Sequence, residues 1–370
     1  MEKIASRTVT DCKRILFILH LPPPFHGASM VGAQIRDSRQ VADSFDTRFI
    51  NLSASRTLGE IERFSFRKVA FLFHLLREVR KTVREWNPDL VYVTPTSKRP
   101  GFLKDYVLVR MLKREGCRVI AHMHNAGVSD HQGRWLDNHI YSRFFSDIKV
   151  ILLSERLYPD IRKYVPLERV FVCPNGVAEM PLPVVPDSPV PTILFLSNLL
   201  RSKGIFDFVG ACGILKEKGF SFRADIAGGE TAELDREGLE ALLRASGLEN
   251  RVLYHGAAYG PDKSALFSRA DVFVFPSYRE AFGLVAAEAV SARLPVVATP
   301  VGSVPDLVVE GENGFLVAPG DVQALSERVG RLLSNPELRH SMGRAGYDRY
   351  REKFSLEQFE KRIVSILADA

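Results

Sequence analysis

Two glutamates eight residues apart, Glu280 and Glu288, stand in the stretch FPSYREAFGLVAAEAVSARLPVVATPVGS at 275–303. Glu280 follows an apolar run, Asp271 to Phe275, that Pro276 and Ser277 break, since proline cannot donate to a ladder. This puts a carboxylate on a loop at the carboxyl end of a strand, where open α/β sheets bind ligands. Ala281, Phe282, Gly283 and Leu284 then open a helical pattern that runs to about Arg293. The N–H groups of Phe282, Gly283 and Leu284 lie at the helix start, where unpaired donors and the positive dipole end favour an anion, and Gly283 lets an oxygen approach the backbone. Glu288 lies among Val285, Ala286, Ala287, Ala289 and Val290. A carboxylate in so apolar a helix requires a hydrogen-bonding partner. A lone glutamate is most often a solvated surface residue; the loop position, the helix start and the apolar neighbours together point instead to a site for hydroxyls and an anion.

Other residues fit the same chemistry. Lys203 precedes Gly204 in LLRSKG, next to Arg201 and at the N-terminus of a helical pattern from Ile205 to Lys218, a place from which a cation reaches a diphosphate. His122 and His124 stand in AHMHNAG at the carboxyl end of another strand. No third ligand is near them, so the expected metal content is none. Gly27, Ala28 and Ser29 follow three prolines after the first strand and open a helix, an approach site for phosphate or sugar. Their spacing is neither the dinucleotide glycine pattern nor a P-loop.

The elements that must position these residues alternate. Strands are expected at Lys13–His20, Thr47–Asn51, Asp89–Thr94, Arg118–His122, Lys149–Ser154 and Val170–Val177, with helices at Phe66–Trp86 and Gly101–Arg114. After the proline-rich MPLPVVPDSPVPT, a semi-rigid linker, strands follow at Thr192–Asn198, Phe222–Gly229, Val252–Gly256, Asp271–Phe275 and Pro295–Ala298. Helices are expected at Ile205–Lys218, Glu233–Ala245, Pro261–Arg269, Asp321–Leu333 and Leu356–Leu367. The pair Asn175–Gly176 reads as a turn, because both residue types tolerate positive φ, and Asn313–Gly314 as a turn into a short strand. Such alternation predicts an α/β protein with parallel sheets. The expected organisation is a first domain over 1–180, a second over 181–354 and a terminal helix over 355–370.

Length and composition agree with two soluble domains: 370 residues, 46% hydrophobic and 25% charged. The first fourteen residues have no apolar core of a secretory signal, and no run has the length of a transmembrane helix. The four cysteines are scattered, which fits a reducing cytoplasm. The net charge of +6 is uneven: Arg56 to Arg118 holds fifteen Lys or Arg against seven Asp or Glu, interleaved with Phe64, Phe66, Phe71, Phe73, Trp86 and Phe102. Residues 56–118 therefore suit an anionic membrane face, with peripheral placement on the inner membrane surface, or an ordinary solvated helix face over an aromatic core. No nucleic-acid recognition motif accompanies them, and no nucleic-acid partner is expected.

Glu280, seven residues, Glu288, with Phe282–Gly283 after the first glutamate and Pro276–Ser277 before it, resembles the signature of retaining nucleotide-sugar glycosyltransferases of family 4. That family has two Rossmann-like domains facing across a cleft (the GT-B type), with a terminal helix returning to the first. The resemblance runs from Gly27 to Gly314 and is dense from Asn198 onward. It implies a donor site built by Asn198, Arg201, Lys203, His255, Gly256, Glu280, Ala281, Phe282, Gly283, Leu284 and Glu288, with Gly27 approaching from the first domain. The catalytic set it implies is Glu280, His124 and Lys203. Glu288 would hold the ribose, Glu280 the sugar, Lys203 and the Phe282–Leu284 amides the diphosphate, and the backbone at His255 and Gly256 the base. His124, before Asn125, would bond a sugar hydroxyl. The chain departs from the family in having Ser197 and Asn198 where Gly and Arg are usual, so Arg201 is the substitute for the missing guanidinium, and Ala28 replaces a second glycine. No cofactor is implied beyond the nucleotide-sugar, a UDP-sugar being the commonest donor. The acceptor would be a saccharide or a lipid-linked saccharide, for a surface polysaccharide or glycolipid.

Two other classes share parts of this pattern. A nucleotide-sugar epimerase or a phosphorylase has the same two-domain architecture, and a non-catalytic nucleotide-sugar binding module needs only Lys203, Glu288 and the helix start. A nicotinamide oxidoreductase is disfavoured, because neither half shows the dinucleotide glycines.

Overall fold

The computed structural model describes residues 12–23, 27–53, 66–99, 101–184 and 188–370. The chain divides into two compact units, 1–174 with 359–370, and 175–358.

The first unit runs β1 (Arg14–Leu19), α1 (Gly27–Asp37), α2 (Arg39–Ser44), β2 (Asp46–Asn51), α3 (Phe66–Trp86), β3 (Leu90–Val93), α4 (Gly101–Arg114), β4 (Val119–Met123), α5 (Trp135–Phe145), β5 (Lys149–Leu152), α6 (Tyr158–Ile161) and β6 (Val170–Val172). Its six strands form one parallel sheet in the order β2-β1-β3-β4-β5-β6. Strands β1, β3 and β4 are apolar and buried almost throughout, as strands covered on both faces must be. α3 and α4 coincide with their sequence expectations, because neither has a glycine or proline inside to break the period. α5 was not anticipated: Asp137 and Asn138 interrupt its apolar period and no side chain caps its start at Arg134.

The second unit runs β7 (Thr192–Leu196), α7 (Ile205–Glu217), β8 (Arg223–Ala227), α8 (Arg236–Ala245), β9 (Val252–Tyr254), α9 (Gly260–Arg269), β10 (Val272–Phe275), α10 (Leu284–Ser291), β11 (Val296–Ala298), α11 (Val304–Leu307), β12 (Gly314–Leu316), α12 (Val322–Leu333) and α13 (Pro336–Arg349). A π-helical turn, Tyr350–Phe354, leads to α14 (Leu356–Asp369), which joins the first unit from Phe359 onward. There Lys13 Nζ donates to the carbonyls of Leu367 at 2.8 Å and Ala368 at 3.1 Å, capping the helix end with a cation. The second sheet is parallel throughout, in the order β12-β11-β10-β7-β8-β9. Counted within the unit this is the order of the doubly wound nucleotide-binding fold, with its direction of winding reversing between β7 and β10.

Two expectations need correction. α8 begins at Arg236 rather than Glu233, because Asp235 caps it, accepting from Gly238 N at 2.9 Å. Asn175 and Gly176 form no turn, whereas Asn313 and Gly314 make the expected turn into a strand, with neither residue at positive φ. Asn313 is fully buried, its Oδ1 accepting from Val309 N at 2.7 Å and its Nδ2 donating to Leu307 O at 2.9 Å. Gly314 belongs to β12, where a Cβ would stand 2.0 Å from the Val296 carbonyl; the left-handed residue of that turn is Gly311, with φ +76°.

Candidate active site at the carboxyl edge of the second sheet

The loops that leave β7 and β10 flank the reversal point and touch one another. Arg201–Lys203 forms a 3-10 turn that ends in Gly204, with φ +78°. A Cβ on Gly204 would stand 2.1 Å from the Pro276 carbonyl, so only glycine lets the two loops meet. Tyr278 N donates to Ser202 O at 2.9 Å, and the buried Ser277 Oγ donates to Arg279 O at 3.2 Å. Thr299 Oγ1, after β11, donates to Ser277 O. The β11 loop also supports Glu280 from behind: a Cβ on Gly302, φ +55°, would stand 2.1 Å from the Glu280 carbonyl. Next to it Ser303 N and Oγ donate to Ala281 O at 3.0 and 2.7 Å.

This scaffold brings Lys203 and Glu280, 77 residues apart in sequence, into direct contact: Lys203 Nζ donates to Glu280 Oε2 at 2.8 Å. The other oxygen, Oε1, accepts from Ala281 N at 3.1 Å. Both side chains are about a quarter exposed, at 27% and 20%, so the pair is partly screened by solvent yet open to a ligand. Behind Glu280, Phe282 is buried and packs near Phe354, and Gly283, at φ +88°, starts α10. Ala286 and Ala287 N donate back to Gly283 O, so Gly283 begins the helical ladder and the donors ahead of it lie at the helix start. The arrangement presents a carboxylate, an ammonium and a helix N-terminus side by side, which suits a ligand with hydroxyls next to an anion.

Glu288 is one turn into α10, and its partner is Lys263 of α9, whose Nζ donates to Oε1 at 2.6 Å. Burial pushes the Glu288 carboxyl above the ordinary carboxylate range, and the Lys263 charge and hydrogen bond oppose that rise. Sequence reasoning missed Lys263, and also Gly302 and Ser303 as supports, since each meets its partner only through the tertiary fold.

The other donor-side candidates have structural ties. Asn198 Oδ1 accepts from Gly229 N at 3.2 Å, joining the ends of β7 and β8. The Arg201 guanidinium lies 4.4 Å over the Phe206 ring, and the Arg201 backbone N–H donates to Glu233 Oε2 at 2.8 Å. His255 Nε2 stands 2.7 Å from Asp225 Oδ1, and Arg269 Nε donates to Asp225 Oδ2 at 2.8 Å. Gly256, φ +73°, gives its carbonyl to Gly228 N at 2.8 Å. Its neighbour Gly228 allows β7 and β8 to approach, because a Cβ there would stand 1.7 Å from Ser197 O.

In the first unit, His124 lies beside His122, with ring centroids 4.1 Å apart. His122 is fully buried on Tyr92, whose hydroxyl is 2.6 Å from Nδ1; burial and the neighbouring His124 hold its pKa well below the usual value. The loop after His124 closes on one carboxylate: Gly127, Val128 and Ser129 N donate to Asp160 at 3.0, 3.2 and 2.9 Å, and Ser129 Oγ at 2.7 Å. Gly27 opens α1 in an exposed position; the close approach there is made by Gly32, where a Cβ would stand 2.0 Å from the His20 carbonyl. Among the described residues no group of three metal-ligating side chains gathers.

Residues 178–349 match the family of glycosyl transferases group 1. Over 172 residues, 46% of this chain and 44% of the relative, the sequence is 30% identical to the capsular polysaccharide biosynthesis glycosyltransferase CapM of Staphylococcus aureus. The chain spans less than half the length of the curated relatives it matches, 44%, 37% and 43% for three of them. The fold is similar over nearly the whole chain to sucrose-phosphate synthase of Thermosynechococcus elongatus: TM-score 0.77, 20% identity, 96% of this chain and 98% of that one. It is similar also to Anabaena HepE in complex with UDP, with TM-score 0.74, 18% identity, and 97% and 100% covered. The structural likenesses show the fold, two Rossmann-like parallel sheets of the GT-B type.

Proposed function

From the match of residues 178–349 to the glycosyl transferases group 1, we propose that the chain is a retaining hexosyltransferase of family 4 acting on a nucleotide diphosphate sugar. The observation that carries this reading is the Lys203–Glu280 contact of 2.8 Å across the reversal point of the second sheet. Lys203 and the start of α10 take the diphosphate and stabilise the charge that grows on it as the glycosyl bond breaks. Once the diphosphate draws Lys203 away, Glu280 is released to accept from sugar hydroxyls and orient the ring. Glu288, kept ionised by Lys263, takes the ribose diol. The Arg201 guanidinium, held over Phe206, is the available replacement for the arginine that Asn198 lacks. His124 of the first unit is assigned to the donor sugar, and the leaving phosphate takes the acceptor proton. Charge stabilisation by Lys203 and α10 needs no metal or further cofactor.

UDP is the proposed donor nucleotide, in line with the UDP complex of HepE, and a saccharide or lipid-linked saccharide of a surface polysaccharide is the proposed acceptor, in line with the naming of CapM. The test incubates the protein with UDP-, GDP- and ADP-sugars in chelator and follows nucleotide release. Slow release from one donor, accelerated by a saccharide acceptor, is the expected result. Failure to bind or consume any donor would sink the assignment, and tight binding without release in the presence of an acceptor extract would favour a binding module.

A further inference from the structure

The charge of this protein is concentrated in two neighbouring helices. α3 and α4 hold ten Lys and Arg against three Asp and Glu, so their +7 exceeds the +6 of the whole chain and the remainder is close to neutral. Leu76, Arg77, Arg80, Lys81 and Arg84 of α3 line one open groove with Met111 of α4. Glu115, just past α4, bonds both Arg80 and Arg84, at 2.7 and 2.9 Å, which fixes two guanidinium groups side by side with a net positive charge left over.

The same stripe turns apolar toward the helix N-termini. Phe73 lies one turn before Arg77 and Val69 one turn before that; they are 70% and 37% exposed. On α4, Val107 and Leu103 precede Met111 by one and two turns and are 36% and 47% exposed. Helical spacing sets these residues on the lines that run down into the cationic groove. A soluble polyanion would use the cations and leave the phenyl ring without a partner. A bilayer offers both: acyl chains for Phe73 and its neighbours, and phosphate head groups for the cations one to three turns away. No helix among the described residues is long and apolar enough to cross a membrane, so the contact is a peripheral one.

We propose that the α3–α4 face of the first unit docks on an anionic lipid bilayer, with Phe73 inserted and Arg77, Arg80, Lys81 and Arg84 on the head groups. The proposal rests on the first unit and is independent of the donor chemistry assigned to the second. The experiment co-sediments the full chain with phosphatidylcholine vesicles that contain or lack phosphatidylglycerol, at low and high salt. Binding to anionic vesicles only, weakened by salt, is expected. Arg77→Glu with Lys81→Glu should lower partition more than tenfold, since each basic group near such a surface contributes roughly fivefold. Phe73→Ser should weaken the binding that persists at high salt. All three positions are exposed, and an unchanged melting temperature and unchanged nucleotide release identify the variants as folded. Absence of binding to anionic vesicles would overturn the proposal, and so would wild-type partition by both variants. Displacement by dextran sulfate with no effect of Phe73→Ser would assign the face to a soluble polyanion instead.

Discussion

Each unit has a parallel sheet with one reversal point, and the two points are furnished differently. Between β1 and β3 of the first unit, polar groups are tied into the scaffold: Thr94 Oγ1 accepts from His20 N at 3.2 Å, and the buried Asp105 accepts from Thr96 N at 2.8 Å and Thr96 Oγ1 at 2.9 Å while pairing with Lys104 at 3.0 Å. Between β7 and β10 of the second unit, backbone fixes the loops through Gly204 and Gly302, and the side chains Lys203 and Glu280 pair with each other. A backbone tie sets shape, and breaking it leaves a buried group unsatisfied. A partly exposed ion pair is weak in itself and exchanges for a better partner. The second reversal point is therefore poised for a charged ligand, while the first holds a form.

The largest effect should follow from removing the exchangeable cation. Lys203→Met is expected to weaken nucleotide diphosphate binding by about 10- to 100-fold, the worth of one charged hydrogen bond, with transfer falling by about 10²–10³. Isothermal titration and nucleotide-release assays read both. A smaller, mixed effect is expected from Gly302→Ala, which forces a Cβ toward the Glu280 carbonyl at positive φ. Overpacking there costs about 1–3 kcal/mol, so melting temperature and transfer should fall together. Asn313→Ala removes two buried hydrogen bonds away from the reversal point and should lower only the melting temperature.

A pH titration sharpens the comparison further. Because burial raises the Glu288 pKa and Lys263 lowers it, Glu288 protonates as pH falls through a value above the ordinary carboxylate range. Protonation removes an acceptor from the ribose site, so nucleotide affinity should decline on that acid limb. Lys263→Met should shift the decline to higher pH; an unchanged profile would mean that Glu288 does not contact the nucleotide. The smallest effect is expected in the first unit. Asp160→Asn loosens the loop after His124 by about 1 kcal/mol and should reduce transfer while nucleotide affinity stays at the wild-type value.

The parts legible in the sequence are those with local causes. The apolar periods of α3 and α4, the break at Pro276 and the helix start at Gly283 each follow from neighbours in the chain. Glu280 and Lys203 therefore each lie on the loop that their neighbours predict, but their contact spans 77 residues and has no local sign. Lys263 is likewise 25 residues from the carboxylate it serves. Asn313 closes the turn into β12 that the sequence predicts, but the hydrogen bonds of its buried side chain to backbone have no local sign. Gly302 lies in the same stretch as Glu280, yet what requires glycine there is the Glu280 carbonyl packed against it, a contact with no sign in the local sequence.

The central claim, that Glu280 holds Lys203 until a diphosphate replaces it, is tested most directly by titrating UDP into the wild type and Glu280→Gln. The variant should bind UDP more tightly, because its neutral amide competes less for Lys203, and should release no nucleotide from a UDP-sugar. Weaker UDP binding in Glu280→Gln with turnover retained would contradict the claim.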